Sequence, residues 1–210
     1  MMNSSAPTFN CTNRMGRIIL LGMEEIIGHN QVCTVLNQAS LAEVIQPDPP
    51  CNPEVDFSFD KIPQLQATLE NVYGLAAGRG LAVRSGRACF KHILREFGAE
   101  MGLMGLDYRL LSLPTRLKVG SQSLAALFNR QTGQHVELAL DDEYIHWNIE
   151  PCLVCGEKRT ETSACQLTIG LLQEAMYWVG AGKIFQVEET LCIARGDPQC
   201  TLRVRKNPIN

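Results

Sequence analysis

Several things are missing from this chain, and each absence narrows what it does. No apolar run in its 210 residues reaches the ~20 that a bilayer-spanning helix needs. Neither sign of charge dominates: 19 Lys and Arg face 22 Asp and Glu, for a net charge of −3, which argues against broad nucleic-acid binding. The first thirteen residues have neither the basic start nor the apolar stretch of a signal peptide, so a cytoplasmic location is expected. No Gly-x-Gly-x-x-Gly follows a strand, and Arg79-Gly80 before a helix is not that motif. A reductase with an ordinary dinucleotide site is therefore disfavoured, and the chain reads as a binding protein rather than an enzyme. No repeat at solenoid spacing is visible.

What is present is a globular composition, 45% hydrophobic and 20% charged, with nine cysteines. Without a secretion signal these read as reduced thiols or metal ligands rather than a disulfide framework. Gly16 to Ile27 reads as a very apolar helix ended by Gly28. It needs cover on most sides, from the domain interior or from a second subunit. A further helical piece is expected from Val32 to Val44, followed by a loop over Gln46–Pro53, where prolines exclude regular structure. Leu65, Leu69 and Val72 mark another helix. Gly78-Arg79-Gly80 is expected to open the next, with Phe90, Ile93, Leu94 and Phe97 as its stripe, and Leu117, Leu124, Leu127 and Phe128 mark one more.

The period then changes to two. Val136, Leu138 and Leu140, then Ile145, Trp147 and Ile149, alternate across Asp141-Asp142 and predict a hairpin. Ser163 with Gln166 predicts a capping box for a helix ending at Gly180. Two final strands are expected over Ile184–Ala194 and Gln199–Arg205. The sum is an α+β fold: N-terminal helices on a small antiparallel sheet of about four strands, with a helix between two hairpins. The expected organisation is a disordered 1–13, helices and a Pro-rich loop over 14–60 serving dimerisation, a ligand-binding domain with a metal site over 61–205, and a tail over 206–210.

Five cysteines fall in the last 60 residues: Cys152-x2-Cys155, Cys165, and Glu189-x2-Cys192-x7-Cys200. If Gly196 centres the turn, Cys192 and Cys200 sit opposite each other with Cβ atoms ~4.5–5.5 Å apart. That suits two ligands of one thiophilic ion such as tetrahedral zinc, and equally a cross-strand disulfide. Glu189 is the functional acid rather than Glu188, because it shares the apolar face with Val187. Its parity opposes that of Cys192, so a β-bulge is expected near Thr190–Leu191. Cys165 falls at a helix start, which favours the thiolate. Cys152 and Cys155 form a second candidate half-site, a redox pair, or neither. Phe90, Phe97, Phe128, Trp147, Tyr177 and Trp178 are candidates to line an apolar pocket, and Arg84 and Arg87 a site for a ligand carboxylate.

Gly80-Leu81-Ala82-Val83-Arg84-Ser85-Gly86-Arg87-Ala88, Cys165 leading to Gly170-Leu171-Leu172, and Val187 to Cys200 resemble the 4-vinyl-reductase-type domain family. The chain is also similar to the sensor domains of phenol-responsive regulators and, remotely, to vesicle transport-particle subunits. The resemblance implies an α/β ligand-binding fold, a homodimer formed through N-terminal helices, and zinc held by Cys165, Glu189, Cys192 and Cys200. It also implies a pocket for a hydrophobic small molecule, aromatic or tetrapyrrole. No ATPase or DNA-binding segment follows, so a whole phenol-type regulator is not expected. The functional expectation is a zinc-braced sensor or carrier; the alternatives are a tetrapyrrole-binding accessory to 4-vinyl reduction and a cysteine-based redox sensor.

Overall fold

A computed structural model describes residues 10–41, 43, 49–58, 61–156 and 159–209. Strand β1 (Asn10–Cys11) leads into helix α1 (Asn13–Ile27). Thr12 caps that helix, its hydroxyl accepting the Met15 N–H at 3.3 Å. Gly28, at φ 82°, ends α1 and admits α2 (His29–Gln38) directly behind it. The helical piece expected from Val32 to Val44 thus starts earlier, and Val44 lies outside the described residues, as do positions 46–48 of the Pro-rich loop. Strand β2 (Phe57–Ser58) pairs with β1.

Helix α3 (Lys61–Tyr73) follows, then Gly74 at φ 82°, then the long α4 (Leu75–Phe97). This corrects the expectation that Gly78-Arg79-Gly80 opens the helix. Gly78 lies inside α4, where a Cβ would come within 2.5 Å of the Leu69 carbonyl oxygen on α3. The glycine allows two helices to touch rather than starting one. Helix α5 (Leu106–Arg109), a single turn, carried no periodic signal; α6 (Leu113–Gln131) covers the predicted Leu117–Phe128 stripe.

The rest follows the period change. Strands β3 (His135–Leu140) and β4 (Tyr144–Glu150) form the expected hairpin, and α7 (Gln166–Val179) separates it from β5 (Val187–Leu191) and β6 (Cys200–Arg205). The four-stranded sheet runs β3-β4-β6-β5, antiparallel throughout. The fold is α+β, as the alternation of patterns implies.

Helix α4 packs between α1 and α7. The α4–α7 seam is unusually close: a Cβ on Gly86 would lie 2.0 Å from the Leu167 carbonyl oxygen, and one on Gly170 would lie 1.9 Å from that of Val83. The two backbones are in contact, which only glycine permits. Elsewhere on α7, Leu172 lies beside Trp147 and Ile149 of the sheet and Met176 meets the Ser121 hydroxyl of α6 at 3.9 Å, both fully buried. The cover that α1 needs comes from α4, since a Cβ on Gly22 would meet the Cys89 sulfur and the Ser85 carbonyl. Among the described residues no helix is long and apolar enough to cross a membrane.

Candidate functional site: a buried thiol cluster beside an apolar cavity

The β-bulge predicted near Thr190–Leu191 is present: Glu189 pairs with Leu202 and Leu191 with Thr201, so the register shifts between them. The extra residue turns Leu191 outward and lets Glu189 and Cys192 face the same interior. The expected cross-strand placement of Cys192 and Cys200 is not found. Cys200 pairs with Ile149 of β4, and Cys192 precedes a 3-10 turn over Ile193–Arg195 that ends at Gly196, φ 100°. Gly196 therefore closes a helical turn rather than centring a two-strand ribbon. Asp197 fixes that turn, accepting the Cys192 N–H at 2.7 Å and the Arg195 guanidinium at 3.1 Å.

The capping box at Ser163 is also corrected. Cys165 is the capping position of α7, and the Ser163 hydroxyl donates to the Glu189 carboxylate instead. Glu189 Oε2 further accepts the N–H groups of Ala164 and Cys165 at 2.9 and 3.1 Å, so a carboxylate from β5 caps the helix across space. Its second oxygen, Oε1, is buried with no hydrogen-bond partner. Burial raises the Glu189 carboxyl above its ordinary value, partly offset by the Ser163 hydroxyl.

Five sulfurs meet next to this carboxylate. Cys152 Sγ lies 3.4 Å from Cys165 Sγ, Cys155 Sγ 3.5 Å from Cys200 Sγ, and Cys165 Sγ 3.7 Å from Cys200 Sγ. All nine cysteines are free, so none of these contacts is a disulfide. Two sets of four donors, Cys152–Cys155–Cys165–Cys200 and Cys165–Glu189–Cys192–Cys200, each lie within 4.8 Å of one another and are geometrically able to hold a metal ion. Thiols this close cannot all ionise together. Cys152 holds Cys165 and Cys200 well above the ordinary thiol range, while hydrogen bonds from Cys155 and its neighbours bring Cys152 below it.

The loop that carries Cys152 and Cys155 is tied down from two sides. Thr160 N–H donates to the Ala194 carbonyl at 3.0 Å. From α3, the buried Gln66 amide donates to the carbonyls of Val154 and Ala164 at 3.1 and 3.0 Å and accepts the Leu167 N–H at 3.1 Å. Sequence reasoning passed over Gln66. The available signal was a polar residue four after Ile62 and three before Leu69, on the buried stripe.

Those same residues border a cavity. Val154, between the first two thiols, and Leu167, two residues after Cys165, line an apolar space of about 40 Å3 together with Ile93, Phe128, Trp147 and Leu171. Trp147 is fully buried and its indole N–H has no hydrogen-bond partner. Of the other candidate pocket residues, Phe90 and Phe97 are fully buried core. Trp178 stacks on Tyr108 with ring centroids 6.1 Å apart, and Tyr177 is exposed. Arg87 donates to Gln173 Oε1 at 2.7 Å on the surface, and neither Arg84 nor Arg87 reaches the cavity. Cys89 lines it as a thiol: burial pushes its pKa up to about 12, and it donates to the Ile18 carbonyl.

No known family profile matches the sequence, and no curated protein is significantly similar to it. Solved structures do match. An H-NOX protein of K. algicida, described as Fe(II) unliganded, aligns with a TM-score of 0.60 at 10% identity, over 94% of this chain and 97% of that one. A structure concerned with heme distortion in the H-NOX family gives 0.58 at 15%, over 95% and 97%. An oxygen-binding H-NOX domain related to soluble guanylate cyclases gives 0.52 at 15%, over 92% and 94%. The fold is that of H-NOX domains.

Two expectations are overturned by these neighbours. The resemblance to the 4-vinyl-reductase-type family is not supported, because the matching folds are H-NOX domains and no family profile aligns. The Gly/Arg and Cys blocks that carried it are local motifs, and whole-chain topology outweighs them. Zinc as the resident cofactor is likewise corrected: the descriptions of these neighbours name heme and Fe(II), not zinc.

Proposed function

We propose that this chain is a non-enzymatic sensor domain of the H-NOX fold that takes a small, largely apolar molecule into the cavity beside α7. The observation that carries this reading is the Trp147 indole N–H, buried and unpartnered in a residue that lines a largely apolar cavity. A buried donor without an acceptor is costly and calls for an explanation. A ligand with one hydrogen-bond acceptor supplies it.

Cavity size sets the scale. About 40 Å3 is far below the ~300–1,000 Å3 of drug-sized ligand pockets, and it suits a molecule of about two to four heavy atoms. Heme, named for the neighbouring structures, does not fit these residues. Axial ligands are drawn from histidine, thiolate, methionine paired with histidine, or tyrosine. None of the four histidines lines the cavity: His29 and His135 are exposed, His92 faces Glu25 at 3.3 Å, and His146 pairs with Asp141 at 2.7 Å. Cys89 is held as a thiol, and no cationic side chain lines the space to receive propionates. The ligand classes that remain are dissolved diatomic gases and short polar-tipped molecules.

Xenon and acetaldehyde serve as probes. In crystals pressurised with xenon, density is expected between Trp147 and Ile93, and acetaldehyde is expected to shift the Trp147 indole proton resonance saturably. Absence of both effects, or a heme absorbance band in protein isolated from its own host, overturns the reading.

A further inference from the structure

A separate cleft opens at the far end of α7, and it shares no lining residue with the Trp147 cavity. Its volume is about 260 Å3. Tyr108 and Arg109 of α5, Arg116 of α6, Trp178 and Val179 of α7, and Ala181 just beyond line it. We propose that this cleft binds a small planar aromatic carboxylate, with its ring packed against the Trp178 indole and its carboxylate held by the Arg109 and Arg116 guanidinium groups.

Charge carries this first. Two cations converge on the cleft, and no carboxylate is among the described residues that line it. Among the described residues neither guanidinium has an ion-pair or hydrogen-bond partner, and Arg116 Nε is buried in that state. A buried charged donor left unpaired is costly, and the planar fork of a guanidinium matches a carboxylate. Tyr108 does not act as the counter-ion. Burial pushes its pKa up to about 12, so the phenol keeps its proton and donates to the Arg116 carbonyl at 3.1 Å.

The aromatic wall comes second. Trp178 is half-buried, stacks on Tyr108 with ring planes 10° apart, and tilts against Phe90 at a centroid distance of 6.4 Å. An indole held by two neighbouring rings is a preformed apolar surface beside two cations. The walls are also fixed to one another. A Cβ on Gly120 of α6 would come within 2.6 Å of the Tyr108 hydroxyl and 2.8 Å of Val179, so α5, α6 and α7 meet at that glycine. Size comes third. The cleft falls just short of the ~300–1,000 Å3 of drug-sized pockets, which leaves room for one ring bearing one anionic group.

The test adds benzoate to the full chain and follows both indole N–H resonances by NMR. Benzoate is expected to shift the Trp178 resonance saturably and to leave that of Trp147 in place. Its neutral isostere benzamide and the ringless acetate are each expected to bind at least about tenfold more weakly. Arg109→Gln, at an exposed position, and Arg116→Gln are each expected to weaken benzoate by about tenfold. No saturable shift of Trp178, or a shift of Trp147 alone, overturns the proposal. Benzamide binding as tightly as benzoate overturns the anion site, and acetate binding as tightly overturns the aromatic one. Unchanged benzoate affinity in Arg109→Gln overturns the proposal whether or not Arg116→Gln folds.

Discussion

The hollow at the start of α7 and the hollow along its side are neighbours with opposite chemistry. The first is packed with five sulfurs and a carboxylate, one of whose oxygens has no hydrogen-bond partner. The second is lined mostly by aliphatic and aromatic side chains, with Cys89, Thr132, Gln134 and Thr168 among them, and the Trp147 N–H is unmatched. Both are built from the same short stretches, since Val154 sits between two cysteines and Leu167 lies just beyond a third. The first leaves one carboxylate oxygen unmatched, whereas the second leaves a gap and one unmatched N–H. Each hollow is thus identified by what it leaves unpaired.

The largest expected effect breaks the α4–α7 seam. Gly170→Ala places a methyl 1.9 Å from the Val83 carbonyl oxygen, a backbone atom that cannot step aside. We expect a loss of about 3 kcal/mol or more in urea unfolding, or no folded protein at all. Next is Gln66→Leu, which strips partners from the Leu167 N–H and from the Val154 and Ala164 carbonyls. It should cost about 2 kcal/mol by denaturant titration and loosen both hollows together. An unchanged midpoint would show that the cluster and the cavity are held independently.

Thiol reactivity sharpens the contrast without touching stability. In native protein an aromatic disulfide reagent should modify Cys51, which is exposed, and Cys33, which is partly exposed, and spare the five buried cluster thiols until the chain unfolds. Fast reaction of any cluster thiol would mean that the first hollow is open. Trp147→Phe removes the lone donor from the second hollow at the expense of some volume, and the two changes partly offset. Stability should move by less than about 1 kcal/mol while the response to acetaldehyde disappears.

The smallest effect lies far from both sites and serves as a control. The His146 ring, with the N–H groups of Tyr144 and Glu143, holds the exposed Asp141 carboxyl down to about 2. Its contribution is complete above the ordinary carboxylate value of ~3.9 and is lost as pH falls through about 2. Asp141→Asn should remove that acid-side dependence and leave both hollows as they were, as read by acid unfolding curves.

Sequence pattern reached some of these features and missed others for definite reasons. The change from helical to alternating period placed both hairpins and α7 between them. Opposed parity of Glu189 and Cys192 demanded a bulge, and the bulge is there. The 3-10 turn before Gly196 was not legible, because Gly196-Asp197-Pro198 suits a hairpin turn as well as a helical one. Nor did spacing reveal that Ser163 serves Glu189 rather than its own helix, since that depends on a strand 26 residues away. Local residues set strand parity; the long-range fold decides which donor meets which acceptor.

The paired glycines of α4 and α7 carry one more implication. Where two main chains lie directly against each other, no rotamer intervenes to take up a small displacement. At these two positions α7 and α4 can shift relative to each other only by moving backbone, and α4 packs in turn against α1.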